Sequence, residues 1–152
     1  MNKHHYFLAM LGGIASASKD NSTKVGCIIV GPDNEIRSTG YNSFPRGIDD
    51  NRAERQDRPL KYFYVEHAER NAVYNAARVG IPLKGCRIYQ DFWPCADCAR
   101  AIIQAGIIEI VVSGDGIEGK TQYWNERWQA SIEASKAMLA EAEVRFTIVP
   151  KE

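Results

Sequence analysis

His67-Ala68-Glu69 and Pro94-Cys95-Ala96-Asp97-Cys98 are the stretches from which the rest of the chain is read. One imidazole and two thiols are donors that a zinc ion accepts. Three protein ligands leave the fourth tetrahedral position open, which is the arrangement of a catalytic rather than a structural site. Glu69 lies two residues from the histidine, is not needed as a ligand, and is placed to handle protons.

Working outward, both pieces open helices. Residues 66–79 form a helical run ended by Gly80 and Pro82, so His67 and Glu69 fall in its first turn, where exposed N–H groups favour a carboxylate. Residues 86–90 read as a strand, Asp91-Phe92-Trp93-Pro94 as a turn, and residues 95–105 as a helix stopped by Gly106. The apolar run 107–112 has the pattern of a strand buried on both faces.

Upstream, Phe7, Leu8, Met10, Leu11, Ile14 and Ala15 recur at helical spacing over residues 6–17, weakened by Gly12-Gly13. The first five residues look like the start of that helix, with His4 and His5 exposed. Residues 24–30 and 35–42 form a hairpin around Gly31-Pro32-Asp33-Asn34, so the first two strands are antiparallel. The polar stretch 48–60 lacks any period and reads as a long loop of a functional or mobile kind.

Downstream, residues 114–120 form another loop. Residues 125–142 form a helix with Trp128, Ile132, Ser135 and Leu139 on one face, and 144–149 a fifth strand. The order implies one α/β domain over residues 1–152, with a mixed, mainly parallel five-stranded sheet and helices on both faces. Ligands of such sheets bind in crevices at strand ends.

With 152 residues the chain can bury a full core, and 45% hydrophobic with 25% charged residues is ordinary for a soluble protein. Nineteen basic and nineteen acidic residues cancel, which offers no global attraction to a polyanion, although local lysines or arginines can still hold a small anion. Four cysteines do not suggest a disulfide framework, since two form the CxxC pair and Cys27 and Cys86 lie in apolar runs. No apolar run is long enough to span a membrane, and without a secretory signal the expected location is the cytoplasm.

The pair His-x-Glu and Pro-Cys-x-x-Cys resembles the signature of zinc nucleobase deaminases. Hydrolytic deamination needs a nucleophile at neutral pH, which zinc supplies by lowering the pKa of its bound water towards about 7. It also needs a proton relay, which Glu69 supplies by general acid–base catalysis worth about 10²- to 10⁴-fold. A redox CxxC pair competes with this reading, as does a structural zinc knuckle drawing a fourth ligand from Cys27 or Cys86. The joint pattern favours the deaminase.

The resemblance extends to the deoxycytidylate (dCMP) deaminase family of the cytidine deaminase superfamily, and covers about residues 5–113. It is carried by Ser18-Lys19-Asp20 with Val25-Gly26-Cys27, by Gly40-Tyr41-Asn42-Ser43-Phe44-Pro45-Arg46-Gly47, by Lys61-Tyr62-Phe63-Tyr64-Val65-Glu66-His67-Ala68-Glu69, and by the segment 94–107. It implies a three-layer cytidine-deaminase-like fold. It also implies conversion of dCMP to dUMP with release of ammonia, feeding thymidylate synthesis. By resemblance, His67, Cys95 and Cys98 hold Zn2+, Glu69 is the catalytic proton shuttle, and Asn42 contacts the nucleotide. Lys19 and Lys24, flanking the first loop, are the candidates for phosphate contact, each with a plain reading as a solvated lysine.

The family also implies a homo-oligomer, often a hexamer, activated by dCTP and inhibited by dTTP. Arg78 falls where some members place an arginine tied to that response, but reads more simply as a cation at a helix C-terminus. Ser43 replaces a motif glycine, and the family's tyrosine near the phosphate is matched only by a shifted Tyr123. A free nucleoside, a modified cytosine nucleotide or a purine therefore stays open as substrate. A nucleic-acid substrate is disfavoured by the neutral charge, and a non-catalytic module by the presence of Glu69.

Overall fold

The computed structural model describes residues 2–116 and 126–150, with the side chains of 126 and 127 left aside. Among them, β1 (Gly26–Val30), β2 (Ile36–Tyr41), β3 (Arg87–Gln90), β4 (Glu109–Ser113) and β5 (Arg145–Val149) form one sheet in the order β2-β1-β3-β4-β5. The helices are α1 (Lys3–Ala9), α2 (Leu11–Ala15), α3 (Ala53–Gln56), α4 (Lys61–Tyr64), α5 (Ala68–Val79), α6 (Ala96–Gln104) and α7 (Glu126–Glu141).

The sheet is mixed but not mainly parallel. β1 runs antiparallel to both β2 and β3, and only the β3–β4 and β4–β5 pairs are parallel. The expectation of a mainly parallel sheet fails at the β1–β3 pair, because a fully buried run such as Gly26–Val30 carries no signal of its neighbours' direction.

Alternation along the strands builds two cores. From β1, Ile28 and Val30 pack with Phe7, Leu11, Tyr89 and Val111 beneath α1 and α2. Cys27 and Ile29 point the other way, to Ala72, Ile102 and Leu139 of α5, α6 and α7. Each buried isoleucine or valine contributes about 1.5–3 kcal/mol of transfer free energy.

The N-terminal helix starts within the first five residues as expected, where the Asn2 side chain accepts from the N–H groups of His4 and His5 at 2.9 and 3.1 Å, but it is broken at Met10. His4 is half-buried rather than exposed. Its Nδ1 shares a 2.9 Å hydrogen bond with the Tyr89 hydroxyl, and burial pushes its pKa down. The stretch 48–60 is not a bare loop. It contains α3, held by polar bonds such as Arg55 to the Asp49 carbonyl at 3.0 Å, which leave no hydrophobic period to read. Residues 114–116 are already helical.

α5 stops where expected, at Gly80 with φ +78°, a left-handed C-cap. Its seating depends on small residues. Ala68, Ala72 and Ala76 form its buried stripe, and a Cβ on Gly40 of β2 would lie 2.4 Å from the Ala68 carbonyl oxygen and 2.4 Å from the Ala72 nitrogen. The Ser38 hydroxyl and the Cys27 thiol then donate to the Ala72 and Ala68 carbonyls at 2.7 and 3.1 Å.

Two sequence-distant motif pieces also meet. The Lys61 ammonium lies 2.9 Å from the Asp20 carboxylate, both side chains only 8% exposed. Asp20 in turn accepts from the N–H groups of Ser22 and Thr23 at 2.8 and 3.0 Å, which fixes the loop before β1. Burial alone would raise the Asp20 pKa, but the N–H of Thr23 and the Lys61 ammonium outweigh it and hold the group below its ordinary value.

Gly40→Ala is expected to destabilise the fold by about 1–3 kcal/mol, through overpacking of α5 on β2, read by chemical denaturation. Lys61→Met is expected to cost about 3–5 kcal/mol by leaving a buried carboxylate unpaired. Because the folded pKa of Asp20 is depressed, its contribution is full above the unfolded value of about 3.9 and lost as pH falls through the folded one. The gap between wild type and Lys61→Met should therefore narrow below about pH 4.

Candidate active site

Two helix beginnings meet at one end of the sheet. His67 is the N-cap of α5 and Cys95 the N-cap of α6, both with extended backbone (ψ 153° and 170°). The chain enters α5 through a bridge in which Ser43 N–H donates to the Glu66 carbonyl at 3.1 Å and Glu66 N–H to the Ser43 carbonyl at 2.8 Å. Ser43 sits there with a negative φ, so the position has no need of the motif glycine. The chain enters α6 from β3 through a turn held by Gln90, whose amide donates to the Phe92 carbonyl at 2.7 Å.

These entries bring Nδ1 of His67 to 3.5 Å from Cys95 Sγ and 3.4 Å from Cys98 Sγ. All three ligand atoms lie within 4.8 Å of one another, and neither Cys27 nor Cys86 joins them. Zinc–nitrogen and zinc–sulfur bonds of about 2.0 and 2.3 Å at a tetrahedral angle require an N···S edge of about 3.5 Å. The residues fit a tetrahedral ion with one position open.

The protonation pattern points the same way. Cys95 is pushed down to about 4, chiefly by the hydrogen bond from Cys98 and also by His67. Cys98 is pushed well up by the same bond and by burial, and His67 is raised by its bond to Cys95. The buried group thus holds protons where a cation would displace them. Glu69, in the first turn of α5 and 4% exposed, accepts from the Cys98 thiol at 3.3 Å.

A cleft of about 430 Å³ opens over this group, with His67, Glu69 and Cys95 in its wall. That volume suits a small ligand. Aromatic side chains line much of the rest: Tyr62, Phe92, Trp93 and Trp128. Trp93 is fixed by stacking on Phe146 of β5 at 3.4 Å, with the Lys136 ammonium 4.9 Å from its ring.

The other sequence-predicted residues separate here. Asn42 lines the cleft, but its side chain already clamps the β1 entry, accepting from Val25 N–H at 2.8 Å and donating to the Thr23 carbonyl at 2.8 Å. One amide hydrogen remains for a ligand. Lys19 and Lys24 do not line the cleft. Lys19 is 73% exposed, pairs with Asp50 at 3.3 Å, and borders a second hollow of about 540 Å³ that also contains Arg46 and Arg78. Lys24 is exposed, and Tyr123 lies outside the described residues.

The cations that do line the cleft are Lys61, tied to Asp20, and Arg58. Sequence reading passed over Arg58 because it stands in the aperiodic stretch 48–60. Its only signal was that basic residues cluster there beside Pro59.

Residues 1–114 match the family model described as the cytidine and deoxycytidylate deaminase zinc-binding region. A protein described as an uncharacterized deaminase in the luxG 3′ region of Aliivibrio fischeri is 37% identical over 144 residues, covering 95% of this chain and 91% of that one. The deoxycytidylate deaminase of Mus musculus is 41% identical over 115 residues, 72% of this chain and 64% of that one. The dCMP deaminase of cyanophage S-TIM5, solved in complex with dCMP and dUMP, shares the fold with a TM-score of 0.70 at 21% identity, over 95% of both chains. The chain belongs to the cytidine and deoxycytidylate deaminase family, and is a deaminase.

Proposed function

We propose that the chain is a zinc-dependent hydrolytic deaminase that converts dCMP to dUMP and ammonia. The observation that carries the reading is the His67, Cys95 and Cys98 donor set, at tetrahedral spacing, with the Glu69 carboxylate against it in a walled cleft. The named activity of the mouse relative and the ligands of the cyanophage enzyme support dCMP as the substrate.

When bound, a zinc ion supplies a water activated near neutral pH. In that setting Glu69 would accept one proton from the water that adds at C4 of the cytosine ring, and would deliver it to N3. The C4–N bond then breaks, and the amine takes up the remaining proton to leave as ammonia, so C4 ends as a carbonyl. The aromatic wall excludes solvent and offers flat faces to the base. Asn42 orients the sugar with its spare amide hydrogen.

Arg58, which lines the cleft where Lys19 and Lys24 do not, contacts the phosphate. Its guanidinium, 5.8 Å from the Tyr62 ring centroid, has no carboxylate partner among the described residues, and phosphate satisfies it. A hexameric assembly and control by dCTP and dTTP belong to the same proposal. In the second hollow, Arg46 and Arg78 provide the cations a nucleoside triphosphate needs. Four free cysteines suit a reducing compartment, which favours the cytoplasm.

The test is turnover of dCMP, CMP, deoxycytidine and a cytosine-containing single strand by the zinc-loaded protein, with ammonia and uracil products measured. Turnover of dCMP in preference to the others is expected, and preference for deoxycytidine or the single strand overturns the assignment. Glu69→Gln should lower kcat by about 10²- to 10⁴-fold while zinc stays bound. Arg58→Ala should raise KM for dCMP about 10- to 100-fold, the worth of a charged hydrogen bond, and leave deoxycytidine kinetics unchanged.

A further inference from the structure

The metal ligands come from two helices, and the ion pair that links those helices directly, Arg70 of α5 to Asp97 of α6 at 3.4 Å, is partly exposed and worth little. A third element touches both. α7 lies beyond the family-model match, which ends at residue 114.

Ser131 of α7 accepts a hydrogen bond at 2.9 Å from the backbone N–H of Ala96, the first residue of α6 and the neighbour of Cys95. That N–H has no partner within its own helix. One turn earlier on the same face, the Trp128 indole stands 6.3 Å from the His67 imidazole, tilted by 42°, within the range of aromatic contact. Ile132, 6% exposed, lies beside them in the wall of the cleft.

We infer that α7 is the brace of the metal centre: Ser131 and Trp128 are positioning residues that hold Cys95 and His67 at the separation a tetrahedral ion requires. The inference rests on the metal reading of His67, Cys95 and Cys98. Without the Ser131 acceptor, the Ala96 N–H must turn to find another, and the first turn of α6 carries Cys95 with it. Without the indole, the imidazole gains freedom to rotate about its own side-chain bonds. Partners that orient ligands in this way are typically worth about 10- to 100-fold in metal affinity.

The experiment measures zinc affinity by chelator competition, and the visible spectrum of the cobalt(II)-loaded protein, for wild type, Ser131→Ala, Ser131→Thr and Trp128→Leu. Ser131→Ala and Trp128→Leu should each lose about tenfold or more in affinity and shift the cobalt bands, while Ser131→Thr, which keeps the hydroxyl, restores both. Wild-type affinity and spectra in both deletion variants overturn the brace. So does a fall in melting temperature that is equal with and without metal, the mark of an ordinary helix cap. If Ser131→Ala does not fold, Trp128→Leu carries the same decision from the cleft side. Absence of zinc binding by the wild type would instead remove the metal reading itself, a distinguishable result.

Discussion

Two thiols, an imidazole and a carboxylate crowd into a space a few ångströms wide, and electrostatics leaves them few ways to coexist. Water is largely excluded, as the 4% exposure of Glu69 and the burial of both cysteines show. Without a cation the group compromises by sharing protons, one sulfur holding a charge at the other's expense. With a dication the compromise is unnecessary, because the same spacing fits a tetrahedral coordination shell. Most of the architecture serves this one juxtaposition. β3 delivers the chain to α6, the Ser43–Glu66 bridge delivers it to α5, and Gly40 permits α5 to lie against the sheet closely enough for its first turn to reach the thiols.

The parts of the site written locally were legible. His67, Glu69, Cys95 and Cys98 announce themselves by spacing, and the glycines that end α5 and α6 stand where the periodicity stops. What the sequence did not disclose depends on chain segments that meet only after folding. Lys61 and Asp20 belong to separate sequence motifs, yet they form one buried pair. Asn42 was marked for a ligand, yet most of its amide is spent on the loop at Thr23 and Val25. Lys19 stands just before β1 in sequence, yet its side chain extends into solvent and pairs with Asp50 away from the cleft.

Strand direction and the stretch 48–60 were obscure for a related reason. A fully buried strand shows the same apolar run whether its neighbours are parallel or antiparallel, so β1 between two antiparallel partners looks like any other buried strand. The helix α3 survives on polar bonds to Asp49 and its neighbours, which have no characteristic period. Trp128 is visible in the sequence as part of one helix face with Ile132, Ser135 and Leu139. The structure divides that face, with Leu139 in the core and Trp128 at the cleft.

Asp20, Asn42 and Val65 form a partition, each contributing to the wall of both hollows. The partition is stiff, because Asn42 is bonded at both ends of its amide and Asp20 is bonded to Lys61 and two backbone N–H groups. A molecule on one side deforms it only by breaking those bonds. Reciprocity then fixes the relation between the two chambers: whatever factor an occupant of one imposes on affinity in the other must be returned in full.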